Sequence, residues 1–440
     1  MGVATLIATM LLIVSCTQAG RGRRDNVVLI IIDTIRPDRL GCYGFHLPTS
    51  PNIDGLASQG TLFERAVTVA PVTLPSVCSM LTSTYPVSNN VRYNGMFFLS
   101  DSNITLAEIL KRDGYRTGGF IGGFPLDSRF RVNQGFDVYD DDFSGSAKKG
   151  KRKWIGHEVG DFERLAGEVN ERVFPWLEKV KDERFFVMVH YFDPHWPYEP
   201  PGPYDERFES PYNGEVAYTD EAVGALLRKL DELGLTENTL IVLTGDHGES
   251  LGAHNELTHG EFIFDTTVLI PLILHHPTRI PKGRRIDTMA RSIDIMPTIL
   301  DALGIDDSPQ SQGVSLLPAL RGKRQELPIL LETMLPFYQI EGPDDMPVRV
   351  TGLRTGEWKL MYATMEQEGK PAWIGELYNV KNDPLEIFNV AQRNPEMFSR
   401  MMNQMHALTQ TYSAKTPPEN NYMEMNDETK KKLKSLGYLN

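Results

Sequence analysis

The chain has 440 residues, with 45 Lys plus Arg against 58 Asp plus Glu for a formal net charge of −13, and 41% hydrophobic against 23% charged residues. That composition is globular and the length allows a large core, which excludes a collagen-like fibre, a disordered chain and a protein built from a row of membrane spans. The acidic balance also argues against nucleic acid as a partner, because gripping a phosphate backbone needs clustered Lys and Arg.

In chain order, residues 3–14 form an apolar run too short to span a bilayer comfortably, followed by Ser15-Cys16-Thr17-Gln18. This reads as an export signal. Ile13-Val14-Ser15-Cys16 is similar to a bacterial lipobox, whose Cys becomes the lipidated first residue. Residues 1–24 are therefore expected to be a signal or lipoprotein peptide with its linker, and the protein to be exported, periplasmic or held at the outer membrane through Cys16. The flanks depart from the usual pattern, since no Lys or Arg precedes the apolar run and Arg21, Arg23 and Arg24 follow it. Beyond this segment only Cys42 and Cys78 remain, which excludes a disulfide framework. The two either pair or sit as small buried apolar residues, the reading a large core favours.

Asn26 to Ile32 is a β-branched run ending at Asp33, and the pattern recurs over residues 185–189 before His190 and over 240–243 before Asp246. Continuous Val, Ile and Leu runs are strands covered on both faces, which predicts an α/β fold with a central mixed, mostly parallel sheet flanked by helices. Residues 104–112, 162–180 and 220–233 carry apolar side chains at helical spacing. The basic run 148–153 is predicted to be a solvated loop. From residue 348 short alternating stretches such as 358–362, with a turn at Asn382-Asp383-Pro384, predict a small C-terminal α+β subdomain. The expected division is a catalytic domain over 25–325, a subdomain over 326–415 and a tail over 416–440 with a charged helix at 427–439.

Sheets of this kind gather chemistry beyond the carboxyl ends of their strands. Asp33 alone is a strand-end carboxylate with an ordinary structural role, but Asp246-His247-Gly248-Glu249 pairs oxygen and imidazole donors with no packing duty, and together they point to a metal. Carboxylate plus imidazole suits Mn, Zn or Fe better than Mg. Ala70-Pro71-Val72-Thr73-Leu74-Pro75-Ser76 opens a helix, with Pro75 tolerated in the first turn. Thr73 is then either an N-cap or, where free N–H groups and a metal favour an alkoxide facing a tetrahedral oxyanion, a nucleophile. His190, Asp193, His195, His254 and His259 fall in two windows that each follow a predicted strand. Of these, His195 and His259 are suited to contact substrate oxygens or protonate a leaving group. Tyr191, Trp196 and Tyr198 read as cleft wall and core.

The order Asn26 to Thr34, then Arg36-Pro37-Asp38-Arg39-Leu40-Gly41-Cys42-Tyr43-Gly44, resembles the opening of the sulfatase family of the alkaline phosphatase superfamily. Pro51-Asn52-Ile53-Asp54, Leu81 to Pro86, Asp193-Pro194-His195-Trp196-Pro197-Tyr198, Thr244 to Glu249, His259-Gly260 and Leu377-Tyr378-Asn379 follow in the family's order. The resemblance implies an alkaline phosphatase-like fold. It makes Asp33, Thr73, Asp246 and His247 the ligands of one divalent ion, Mn, Zn or Ca, with a second ion at Asp193 and neighbouring His disfavoured by spacing. It also makes Thr73 the nucleophile, His195 and His259 its catalytic partners, Asn94 a substrate oxyanion contact and His254 a substrate-binding or outer residue.

The departures from the family pattern are specific. Thr73 stands where sulfatases place the Cys or Ser that becomes formylglycine, Val77 where they need Arg, Thr34 where they carry a second Asp, and His247 where many have Asn. Thr with Asp–His ligation resembles the phosphodiesterase, phosphonate-hydrolase and phosphoethanolamine-transferase branches. The expectation is thus a metal-dependent hydrolase of phosphoric esters acting through Thr73 on a small-molecule, lipid-headgroup or glycan substrate. The alternatives are a sulfuric ester hydrolase acting on sulfated glycans or aryl sulfates, and a non-catalytic glycan-binding surface lipoprotein.

Overall fold

The structure, a computed structural model, describes residues 25–146, 152–154, 157–159, 162–323, 326–334, 349–367, 370–413, 421–423 and 426–435. The expected export segment, most of the basic run and the last turn of the expected tail helix lie outside these residues. The strands are β1 (Asn26–Ile32), β2 (Thr61–Val67), β3 (Arg116–Ile121), β4 (Val138–Asp140), β5 (Arg152–Trp154), β6 (His157–Val159), β7 (Phe185–Tyr191) and β8 (Thr239–Gly245). They continue with β9 (Leu269–His275), β10 (Arg284–Ile286), β11 (Ala290–Arg291), β12 (Ile329–Met334), β13 (Arg349–Arg354), β14 (Lys359–Gln367) and β15 (Lys370–Tyr378). The longer helices are α1 (Pro51–Gln59), α2 (Thr73–Thr82), α3 (Leu106–Arg112), α4 (Ala166–Val180), α5 (Pro211–Glu232), α6 (Ile295–Leu303), α7 (Pro395–Ser413) and α8 (Asp427–Ser435).

Among the described residues the main sheet has nine strands in the order β10-β2-β9-β8-β1-β7-β3-β4, with β11 beside β2. Only β9 runs against its neighbours β2 and β8, so the sheet is mixed and mostly parallel, as the β-branched runs predict. The alternation of side chains along β1 explains its unbroken apolar sequence. Val27, Leu29 and Ile31 enter a core shared with α2 and α6, while Val28, Ile30 and Ile32 enter one shared with α4 and α5. Both faces are covered, and every residue of β1 is buried.

The helix starts differ from expectation for local reasons. Helix α3 begins at Leu106 because Thr105 and Glu108 form a capping box. Helix α5 begins upstream of the apolar repeat, at Pro211, and its first turns carry buried Asn213, Gly214 and Glu215, which the helical periodicity cannot register. Part of the basic run is strand rather than loop, with Arg152–Trp154 paired to His157–Val159. Cys42 and Cys78 are free thiols, Cys42 half-buried and Cys78 fully buried.

The expected small subdomain is an antiparallel sheet, β12-β13-β14-β15, with α7 laid across it through Met401 and Met405. A buried ionic cluster joins it to the main domain. The Lys359 ammonium, fully buried, lies 2.7 Å from Asp265 Oδ1 and 2.8 Å from Glu386 Oε1, and Arg354 Nη2 is 3.1 Å from Asp265 Oδ2. Asp265 follows the segment that carries His259, so this cluster fixes the subdomain against the loop that forms one wall of the site. The two cations hold the Asp265 carboxyl well below the usual carboxylate range against the opposing effect of its burial. Its contribution to stability is therefore present above the ordinary carboxylate value and is lost as pH falls towards the depressed value. Replacing Lys359 by Met leaves the buried Glu386 without its cation and Asp265 with Arg354 alone, and chemical denaturation of that variant is expected to show a loss of about 3–5 kcal/mol.

Candidate active site

Strands β8, β1 and β7 are parallel neighbours whose last residues are in register, Ile32 facing Gly245 on one side and Tyr191 on the other. Their ends therefore present Asp33, His190 and Asp246-His247 along one edge of the sheet. Asp33, Asp246 and His247 are fully buried and offer ligand atoms that all lie within 4.8 Å of one another. His247 Nε2 is 3.4 Å from Asp246 Oδ2 and 3.7 Å from Asp33 Oδ1.

Thr73 enters this group from the side. It is the first residue of α2, and the cap position before it belongs to Val72. Instead Thr73 Oγ1 lies 3.3 Å from Asp33 Oδ2 and 3.3 Å from His247 Nε2. The N-cap alternative is not realised, and the hydroxyl faces the ligand group at a helix N-terminus.

The donor set suits one divalent cation. Asp33 Oδ1 and Asp246 Oδ2 are buried and make no hydrogen bond, an arrangement that costs free energy unless a positive charge meets them. Burial first, then the neighbouring Asp246 and Glu249 charges, push the Asp33 carboxyl well above its usual range. The remaining atoms are already fixed. Asp246 Oδ1 accepts from the His247 and Thr34 backbone N–H groups at 2.7 and 3.2 Å. His247 Nδ1 lies 2.9 Å from the Gly248 carbonyl, which can only accept, so Nδ1 carries the proton and Nε2 presents its lone pair to the site.

Around this centre sit the groups for substrate. Asn94 Oδ1 accepts from Leu74 N–H at 2.8 Å, which pins the side chain to the start of α2 beside Thr73, while its buried Nδ2 has no partner. Leu433 of α8 fills the space that a Cβ at Gly95 would take, so the tail helix buttresses the same turn. His195, His259 and His247 form a row, with ring centroids 5.2 Å apart for the first pair and 4.3 Å for the second. His195 is stacked on Phe192 at 4.3 Å, and its Nδ1 is 2.6 Å from the Trp196 carbonyl. His259 Nδ1 is 3.1 Å from Glu249 Oε1, a partner the sequence reading quoted in its motif without giving it a role. Burial pushes the His259 imidazole down to about 4 and the Glu249 carboxyl up to about 8.

Some expected residues lie elsewhere. The His254 ring is stacked on Phe264 at 3.6 Å, towards the subdomain, and does not join the cation side chains. Asp193 Oδ2 accepts from Ala166 N–H at 2.7 Å, at the start of α4, and Asp193 is absent from the ligand group found among the described residues. His190 is closer than its position in the strand suggested, with Nε2 3.5 Å from Asp33 Oδ2, and burial pushes it down to about 4. Val77, at the family's Arg position, is fully buried in the core beneath α2.

The family model named Sulfatase matches residues 25–305, and that for the N-sulphoglucosamine sulphohydrolase C-terminal region matches 254–414. The chain belongs to the sulfatase family, and it is an ester hydrolase of the class whose members use a divalent metal. Among curated relatives, the ulvan-active sulfatase of Formosa agariphila is 27% identical, over 89% of this chain and 81% of that protein. The N-acetylglucosamine-6-O-sulfatase of Bacteroides thetaiotaomicron is 22% identical, over 85% of this chain and 84% of that protein. A solved structure in complex with its substrate D-glucosamine-2-N,6-O-disulfate shares the fold with a TM-score of 0.72 at 21% identity, covering 90% of this chain and 100% of that one. The phosphonate monoester hydrolase of Agrobacterium radiobacter does so with a TM-score of 0.72 at 21% identity, covering 88% and 96%. These matches bear out the alkaline phosphatase-like fold and the hydrolase class, and they favour the sulfuric ester alternative over the phosphoric ester expectation.

A cation that binds only the folded site stabilises the protein, by about 2.7 kcal/mol at a hundred times its Kd. Chelation is expected to lower Tm and metal readdition to restore it, whereas Asp246→Asn loses the metal-dependent shift, all read by calorimetry.

Proposed function

We propose that the protein hydrolyses monoanionic esters of a tetrahedral oxyanion, foremost a sulfuric ester carried by a glycan, with Thr73 as nucleophile. The observation that carries the reading is the Thr73 hydroxyl at 3.3 Å from both Asp33 Oδ2 and His247 Nε2, inside a buried carboxylate–imidazole group. Asp33, Asp246, His247 and Thr73 would hold one divalent cation, which supplies Lewis-acid stabilisation and lowers the pKa of the hydroxyl. A set of two carboxylates and an imidazole suits Mn or Zn, with Ca as the all-oxygen alternative.

Charge favours a monoanion. Among the described residues the charged partners of Asp33, Asp246 and His247 are one another and His190, an arrangement without Lys or Arg that suits a monoanion better than a phosphate monoester dianion. The sulfatase relatives and the sulfated sugar in the related complex favour sulfate among the monoanions. In the first step Thr73 Oγ attacks the central atom as its proton passes to the neutral imidazole of His195 or His259, the bond to the leaving alcohol breaks, and that imidazole returns the proton to the alcohol oxygen. Asn94 Nδ2 donates to an oxygen of the central group. In the second step water attacks the same atom, the bond to Thr73 breaks, and free sulfate leaves with the hydroxyl restored.

A phosphodiester or phosphonate monoester is the second reading, favoured by Thr73 itself. Threonine cannot form an aldehyde hydrate, and a threonyl ester must be released by attack of water at sulfur or phosphorus. Export, with Cys16 lipidated at the periplasmic face of a membrane, belongs to the same proposal and rests on Ile13-Val14-Ser15-Cys16.

Rates on a sulfated monosaccharide, an aryl sulfate, an aryl phosphodiester and an aryl phosphate, measured side by side, are expected to rank the two monoanion classes above the dianion. Thr73→Ala is expected to lower kcat by on the order of 10⁴-fold, and Asn94→Ala by about 10²–10³-fold. Full activity of the Thr73 variant on the best substrate contradicts the mechanism.

A further inference from the structure

His190 has no place in the mechanism above, yet its position is costly without one. It is fully buried at the end of β7, opposite Ile31 of β1, and neither ring nitrogen makes a hydrogen bond. Its nearest charged atom is Asp33 Oδ2, 3.5 Å from Nε2. The two oxygens of Asp33 thus have different surroundings: Oδ2 faces Thr73 and His190, while Oδ1 is buried without a partner and faces the ligand group. Beside it, Thr34 stands where the family carries a second Asp, and its buried Oγ1 has no hydrogen-bond partner and brings no charge.

We propose that His190 is a positioning residue for Asp33: its Nε2, which stands 3.5 Å from Oδ2, would close on that oxygen as a donor when a cation draws on Oδ1, and so favour a Zn- or Mn-type ion over Ca. The chemical reason is the coordination each ion takes. Zn is content with about four N and O ligands, and Asp33, Asp246, His247 and Thr73 supply that number. Calcium takes about 6–8 oxygens and often both oxygens of one carboxylate. With Oδ2 drawn towards His190 and Thr34 in place of a carboxylate, the site would lack the oxygens the larger ion needs.

The inference rests on the cation reading of the site and not on the substrate, and its test is metal binding by the full chain without any turnover. Titration calorimetry of metal-free protein with Zn²⁺, Mn²⁺ and Ca²⁺ is run on the wild type, His190→Asn and His190→Gln. Both variants are polar and of similar size, but only Gln carries an N–H donor out to the position of Nε2. The wild type is expected to prefer Zn²⁺ and Mn²⁺ to Ca²⁺. His190→Asn is expected to lose about 10–100-fold in affinity for the preferred ions, the range seen when an outer hydrogen bond to a ligand is removed. That loss narrows its preference over Ca²⁺, while His190→Gln stays close to the wild type. A wild type that favours Ca²⁺, or an Asn variant with unchanged affinities and preference, overturns the inference and leaves the proposed function standing. A wild type that binds none of the three ions overturns both.

Discussion

Two aspartates held in a dry pocket within coordination reach of each other set the terms for the rest of this molecule. Like charges at that separation, without solvent, oppose the folded state unless a cation lies between them. The sheet supplies the geometry: β8, β1 and β7 end in register, so one carboxylate from each of two strand ends converges with a histidine whose tautomer a backbone carbonyl fixes. Helix α2 then brings a threonine hydroxyl to the same point. A site assembled this way is rigid because strands fix it, and its two aspartates make one side acidic while the other side is neutral.

The neutral side is made of Asn94, His195 and His259, each anchored by one identified contact: the Leu74 N–H, the Trp196 carbonyl and the Glu249 carboxylate. The loop carrying His259 is in turn held by the subdomain, since Thr333 of β12 donates to the Gly260 carbonyl at 2.6 Å and the Lys359 cluster grips Asp265. The small C-terminal sheet therefore belongs to the architecture of the site. The second family model, which matches from residue 254 onward, spans this same unit of loop and sheet.

Much of this was legible in the sequence because strong physical signals coincide there. A β-branched run with a carboxylate at its end reads as a buried strand delivering a ligand, and Asp33 and Asp246-His247 both lie where that logic puts them. Thr73 was ambiguous from local sequence, since a threonine opening a helix is first of all a cap; only the spatial approach of β1 and β8 separates the two readings. For His254 and Asp193, residue type and proximity in sequence say nothing about direction: one ring turns onto Phe264, one carboxylate onto the start of α4. Glu249 and His190 show the converse. Each stands beside a motif residue, and its role depends on which atom it faces across the fold.

Of the departures from the family pattern, Val77 in place of a cation and Thr34 in place of a carboxylate each remove a charge, while Thr73 puts one neutral hydroxyl-bearing group in the place of another. The measurement that tests this account most directly is anomalous X-ray diffraction from crystals grown with Zn²⁺ or Mn²⁺. The account predicts one strong peak at about 2.0–2.2 Å from Asp33 Oδ1, Asp246 Oδ2, His247 Nε2 and Thr73 Oγ1. Anomalous density elsewhere, or its absence from a pocket in which those four atoms have moved apart, contradicts it.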